Sequence, residues 1–267
     1  MTGYGHRELR AAYEAIGLRP GDVVSLKTDI RPLGPCAEDG REAVLAAHLR
    51  ALAEAVDLSR GTIVVSTQSL NLCNTDIPFD PEATPSGGGV LTEYIRRQPG
   101  AVRSFHPFVS YTALGRHAQD ICGEVSRYAF GLETPKQRLL DLGAICVSLG
   151  LQPRFTCSVV HQVESVVGVP FRYLKEFMHP VVRGGEVRRE PFYMYVWYRE
   201  CDLKKDANHK IFANYAAHGG TVAEAPVGRG HVYAYPLKPF FDITVAAFLR
   251  DPYMSLETPP TVRPYQK

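Results

Sequence analysis

The chain has 267 residues, 45% hydrophobic and 22% charged, a balance that supports a core without disulfides or a structural metal. Thirty Lys and Arg stand against 28 Asp and Glu, a formal charge of +2, so there is no broad basic field for nucleic acid. There is no apolar run of membrane-spanning length and no export signal, so the expected location is the cytoplasm. Cys36, Cys73, Cys122, Cys146, Cys157 and Cys201 form no C-x-x-C pair and are expected to be reduced thiols, not zinc ligands.

Residues 8–17 place apolar side chains at helical spacing, and Gly17 and Pro20 stop the helix. Residues 22–26 are a short apolar run that suits a buried strand. Residues 41–56, rich in Ala, Leu, Arg and Glu, predict a helix, and residues 61–67 a second strand. Strand, helix and strand in that order predict a parallel βαβ unit. Residues 68–89 form a long polar segment with Pro78, Pro81, Pro85 and three successive glycines, a kind of loop that is usually functional.

Residues 91–98 predict a helix ended by Pro99 and Gly100, residues 103–110 a strand or loop, and residues 111–124 a helix. Thr134 and Pro135 suit the cap and first turn of another helix. Residues 144–150 predict a third buried strand, and residues 157–167 a helix carrying His161 and Glu164. The aromatic run 190–200 suits an antiparallel strand, residues 222–237 a strand pair around Gly228 and Gly230, and residues 243–251 a short final helix. The expected architecture is α/β: a central mixed sheet flanked by helices, with an antiparallel C-terminal extension, in one domain over residues 1–267.

Three constellations carry chemistry. His161 and Glu164, three apart on a helix, share a face, so the carboxylate can fix the imidazole tautomer for use as a general base. The same spacing also suits a surface ion pair. Arg103, Ser104, His106 and Ser110 put a cation, an imidazole and two hydroxyls in one short segment that could hold a phosphate or an acyl carbonyl, or be a satisfied loop. Asp76, Asp80, Glu82 and Glu93 give the long loop and the helix after it an acidic cluster that would attract a cationic amine, or be merely solvated. A hydrolase elbow G-x-S-x-G is missing, and a nucleophilic role for Cys157 has no support beyond its place four residues before His161.

The ordered set Gly61-Thr62, Phe79-Asp80-Pro81, Thr84-Pro85-Ser86, Leu91-Thr92-Glu93, Arg96, Pro99-Gly100, Arg103-Ser104, His106-Pro107, Ser110, Ala113 and Gly115 continues into Ser158, His161, Glu164 and Pro170-Phe171-Arg172. It resembles the aminoglycoside 3-N-acetyltransferase family, densely from about residue 8 to 172. The resemblance implies that family's own α/β fold. It also implies transfer of acetyl from acetyl-coenzyme A, as co-substrate and without a metal, to a primary amine of an amino sugar. His161 corresponds to the catalytic histidine, with Glu164 as its carboxylate. Lys27, Thr28, Arg103, Ser104, His106 and Ser110 fall at the coenzyme, and Asp76, Glu93, Glu200 and Asp202 at the amine substrate. The chemistry asks for a neutral imidazole to take the amine's proton and for an oxyanion donor such as Thr28 or Ser110. It needs no acyl-enzyme if both substrates are held together.

The chain departs from the family after the first strand, where a His-Ser-Ser-type turn is replaced by Leu26, Lys27 and Thr28, and after His-Pro, where Phe108 and Val109 stand. The changes surround both substrates. They point to a biosynthetic acylation of an amino sugar, a sugar nucleotide or a related small natural-product amine. Aminoglycoside resistance is the second reading, and an inactive binding or scaffold protein with the same fold the third. No nucleic-acid or membrane partner is expected, and a homo-oligomer is compatible with the pattern.

Overall fold

The computed structural model describes residues 3–266. Helix α1 (His6–Ala15) buries Leu9, Ala12 and Tyr13 along one face. Strand β1 (Val23–Thr28) leads through α2 (Arg41–Val56) to β2 (Thr62–Ser66), which runs parallel to it with Val23 opposite Thr62 and Leu26 opposite Val65. This is the expected βαβ unit. The chain continues through α3 (Val90–Arg96), β3 (Val102–Arg103), β4 (Tyr111–Gly115), α4 (Ala118–Cys122), α5 (Pro135–Asp141) and β5 (Ile145–Leu149). Next come α6 (Pro153–Thr156), α7 (Val160–Val167), β6 (Arg172–Arg183), β7 (Glu186–Trp197), α8 (His209–Ala217), β8 (Ala223–Val227), β9 (Gly230–Pro236) and α9 (Leu237–Arg250).

Seven strands form one mixed sheet in the order β3-β4-β2-β1-β5-β9-β8. β2, β1 and β5 are parallel, while β4 and β3 on one side and β9 and β8 on the other are antiparallel. One core gathers α1 and α2 against the sheet through Leu9, Leu52 and Val65. A second gathers α5, α7 and α9 through Leu139, Val163 and Phe248. Among the described residues no helix is long and apolar enough to cross a membrane.

The structure corrects the reading of residues 111–124 and of the final helix, bears out the aromatic run as an antiparallel strand, and adds a strand and a helix. Residues 111–124 are not one helix: Tyr111 to Gly115 form β4, paired with β2, and only Ala118 to Cys122 are helical. Tyr111, Thr112 and Ala113 are all buried, so the two-residue alternation that marks a half-exposed strand is missing. The aromatic strand does not extend the main sheet. It is the second arm of a separate two-stranded hairpin, β6 and β7, and β6 was not foreseen. Helix α8 was also not foreseen, and the final helix begins at Leu237.

The hairpin docks on the long loop. Phe79 N–H donates to the Pro180 carbonyl (2.9 Å), and Val182 N–H donates to the Phe79 carbonyl (2.8 Å). Leu72, Phe79, Phe108, Val181 and Phe192 close a third small core beneath this junction.

β1 lies between two parallel neighbours reached in opposite directions, the point at which open α/β sheets form a crevice at their carboxyl ends. Gly150, just past β5, holds φ +75°, and a Cβ there would overlap the Asp29 carbonyl beyond the end of β1. Gly150→Ala is therefore expected to cost about 2–4 kcal/mol, read as a lower urea midpoint with an unchanged slope.

Candidate active site

A cavity of about 430 Å³ opens at the carboxyl ends of β1 and β2. β1 contributes Lys27 and Thr28, β2 contributes Ser66, and His161 and Glu164 enter from α7. His161 Nδ1 lies 3.0 Å from Glu164 Oε2. The same oxygen takes Arg172 Nη2 at 2.8 Å, and Glu164 Oε1 accepts from Ser255 Oγ at 3.0 Å. The Glu164 side chain is 3% exposed and that of His161 40%.

Burial raises the Glu164 carboxyl. The His161 hydrogen bond and the Arg172 charge outweigh it, so the group stays below the usual carboxylate range. Arg172 Nη2 also lies 3.3 Å from His161 Nδ1, but a guanidinium can only donate. Its shorter bond goes to the carboxylate. The hydrogen-bond set therefore assigns the imidazole proton to Nδ1, aimed at Glu164, and leaves the lone pair on Nε2. Arg172 is held in turn by the Tyr195 carbonyl (2.9 Å) and by the Trp197 ring, 5.0 Å from its centroid.

Thr28 Oγ1 is buried and has no hydrogen-bond partner. Thr28 lines the cavity beside Lys27, with this hydroxyl turned out of reach of solvent. Glu164, His161, Lys27 and Thr28 are thus the expected site residues that the fold brings together.

The others do not line the cavity. Arg103 donates Nε to Ser110 Oγ (3.1 Å) and its two terminal nitrogens to the carbonyls of Pro81, Thr84 and Thr67 and to Ser69 Oγ. Ser110 Oγ donates to the Thr67 carbonyl (2.8 Å), and Ser104 Oγ accepts from Tyr111 N–H (2.9 Å). His106 Nδ1 accepts from Phe108 N–H and Val109 N–H, its ring packs against Phe108 and Phe192, and burial pulls its pKa down to about 4. Arg103 and Ser110 brace the long loop against the sheet, and Ser104 and His106 fix the turn between β3 and β4.

The acidic residues are also engaged elsewhere. Asp76 pairs with Arg189. Glu93 takes both Arg96 and Arg97 and the Ser86 N–H, and the Arg96 hydrogen bond leads in pulling its pKa down to about 2. Asp202 accepts from Thr261 N–H (2.8 Å), Thr261 Oγ1 (2.7 Å) and Val262 N–H (3.0 Å). Glu200 is exposed and outside the cavity wall. Sequence reasoning missed Ser255, Trp197 and Lys205. Arg172 stood in a quoted motif without a role.

An imidazole held by a buried carboxylate stands in the wall of a crevice at the carboxyl ends of parallel strands, where open α/β sheets place their ligands. The sequence profile described as aminoglycoside 3-N-acetyltransferase matches residues 26–249, and the chain belongs to that family. It is an acetyl-coenzyme A-dependent N-acetyltransferase. It is similar to aminoglycoside N(3)-acetyltransferase III of a Salmonella species, 28% identical over 196 residues and 68% of each chain. It is also similar to the enzyme of that name from Pseudomonas aeruginosa, 24% identical over 254 residues, 86% of this chain and 88% of the other. Two solved structures share the fold. Sisomicin-bound AAC-VIa has a TM-score of 0.80 at 23% identity, covering 93% of this chain and 99% of its own. AAC-IIIb in binary complex with CoASH has a TM-score of 0.77 at 20% identity, covering 96% and 98%.

Arg103→Met strips hydrogen bonds from four loop and strand residues beyond Ser110. It is expected to cost about 3 kcal/mol or more, seen in the thermal midpoint, while the Kd for coenzyme A changes less than about threefold. A large loss of coenzyme affinity without loss of stability would return Arg103 to the coenzyme.

Proposed function

We propose that the chain transfers acetyl from acetyl-coenzyme A to the primary amine of an amino sugar, a sugar nucleotide or a related small natural product, with His161 as general base in a ternary complex. The observation that carries this reading is the Glu164-held imidazole in the cavity wall. A sugar ammonium is not a nucleophile. Nε2, with its lone pair, takes one proton from the ammonium and the freed amine attacks the acyl carbon. The adduct collapses with cleavage of the C–S bond, its second proton leaves with the thiolate as free thiol, and Glu164 stabilises the imidazolium.

Coenzyme A supplies an activated acyl carbonyl with a thiolate leaving group. The Thr28 hydroxyl is unspent but closed off from solvent, so it reaches the carbonyl oxygen only on rotation about χ1, whereas Ser110 has given its hydrogen bond to Thr67. No side chain needs to carry the acyl group, since holding both substrates together supplies the positioning. The relatives are named for aminoglycosides, and acetylation of an aminoglycoside amine is the second reading.

Two substitutions separate base from scaffold. His161→Ala should lower thiol release in the presence of an amine by about 10²–10⁴-fold, with folding and coenzyme-induced thermal stabilisation retained. Release at the unaltered rate would remove the mechanism. Glu164→Gln leaves Arg172 buried without its counter-charge and is expected to cost about 3 kcal/mol of stability as well as activity.

A further inference from the structure

The cavity's charge does not suit a polycation. Its wall carries Lys27, Arg154, Arg172 and Lys205 against a single carboxylate, Glu164, which Arg172 occupies. Among the described residues, no carboxylate makes ion-pair contact with Lys27, Arg154 or Lys205. Directly behind the wall a fifth cation, Lys136, is 1% exposed and donates to Ser158 Oγ at 3.1 Å. Its ammonium and that of Lys27 share the Tyr111 ring, at 5.1 and 5.7 Å from the centroid. On another wall Lys205 lies over Trp197, 4.2 Å from the centroid, the ring that also carries Arg172.

Unneutralised cations in a partly buried site cost free energy that an arriving anion recovers. Burial pulls Lys136 down to about 8 and, together with the Lys136 charge, lowers Lys27, as expected where cations lack a counter-ion. The acids that a cationic sugar would need, Asp76, Glu93 and Asp202, are committed outside the cavity.

Resting on the acetyl-transfer reading, we propose that the acceptor is an amine that also bears an acidic group, a phosphate or a carboxylate, which Lys27 and Lys205 receive while His161 addresses the amine. The coenzyme's own phosphates lie at the far end of its pantetheine arm from the thioester. Ser158, the residue that Lys136 supports, is only three residues before His161, and Lys205 shares Trp197 with Arg172, the partner of Glu164. Arg172, the cation beside the imidazole, is spent on Glu164, so Lys27 and Lys205, which line the same cavity as His161, are the cations assigned to the acceptor.

The test compares paired acceptors in a thiol-release assay: glucosamine 6-phosphate against glucosamine, galactosaminuronate against galactosamine, and sisomicin as the polycation. At least one acid-bearing amine should exceed its neutral partner by about tenfold or more in kcat/KM, and the phosphate and carboxylate arms show which acid is preferred. Lys27→Met and Lys205→Met should each bring that ratio toward one. Equal rates within both pairs, or sisomicin as the best acceptor, would overturn the proposal. So would loss of coenzyme A affinity, by calorimetry, that matches the fall in the ratio.

A second arm needs no turnover. Inorganic phosphate at about 10 mM should raise the thermal midpoint of the coenzyme A-saturated protein, and the Lys27→Met/Lys205→Met double variant should lose that shift. An equal shift in both proteins, or none in the wild type, would remove the anion site. Absence of thiol release from every amine, with the phosphate shift intact, would instead remove the acetyl-transfer reading and leave the anion site standing.

Discussion

A carboxylate only 3% exposed prefers to be protonated, and a protonated Glu164 could not fix the imidazole. Everything at the site depends on keeping it ionised. Arg172 at 2.8 Å and Ser255 at 3.0 Å do this from outside α7, one just after it at the start of the β6–β7 hairpin and one far along the chain beyond α9. The arrangement explains why so large a hairpin stands apart from the main sheet. Its first residue supplies the counter-charge, and Trp197 at its last paired position covers the guanidinium. A pair this buried gains little net stability, because desolvation offsets the attraction. Its return is orientation: Nδ1 is committed and Nε2 is free.

The loop between β2 and α3 meets a different constraint. A segment of that length with few regular hydrogen bonds would open its backbone to water unless something else satisfied it. Arg103 does so with a planar fork of donors reaching Thr67, Pro81 and Thr84, while Phe79 plugs the third core and pairs with the hairpin. The residue types that suit a phosphate cradle are also those that suit a carbonyl clamp, and here Arg103 has spent its guanidinium donors on the clamp.

That exchange marks where the sequence was legible. The α2 segment and the βαβ unit follow from local propensity and hydrophobic runs, so both were readable, as was the Thr134 cap that accepts from Gln137 N–H. His161 and Glu164 were readable because three residues of helix bring them together whatever surrounds them. β4 was not, because burial on both faces erases its alternation. Nor was Ser255, which meets Glu164 from far along the chain; Arg172 and Lys205 stand near Glu164 and Trp197 in sequence but meet them across element boundaries, where no helical or strand period sets the spacing. The Arg103–Ser110 strip shows the converse: a correct motif whose donors could be directed at a ligand or at the backbone, with only tertiary structure to decide.

The charge count shows the same limit most clearly. A total of +2 describes a nearly neutral molecule, yet the charges are sorted by place. Glu93 spends itself on Arg96 and Arg97, Glu190 on Arg127 and Arg183, and Asp76 on Arg189, all away from the cavity. Surface pairs of this kind contribute little to stability. Their effect here is to take carboxylates out of reach of the cavity, so that Lys27, Lys136 and Lys205 stand around it without a carboxylate in ion-pair contact among the described residues. Inside a crevice with low-dielectric walls such charges act at greater strength than in water, and they fix which ligands can approach before any shape is tested. The sign of the field at His161 is thus set as much by where the acids have been sent as by where the lysines stand.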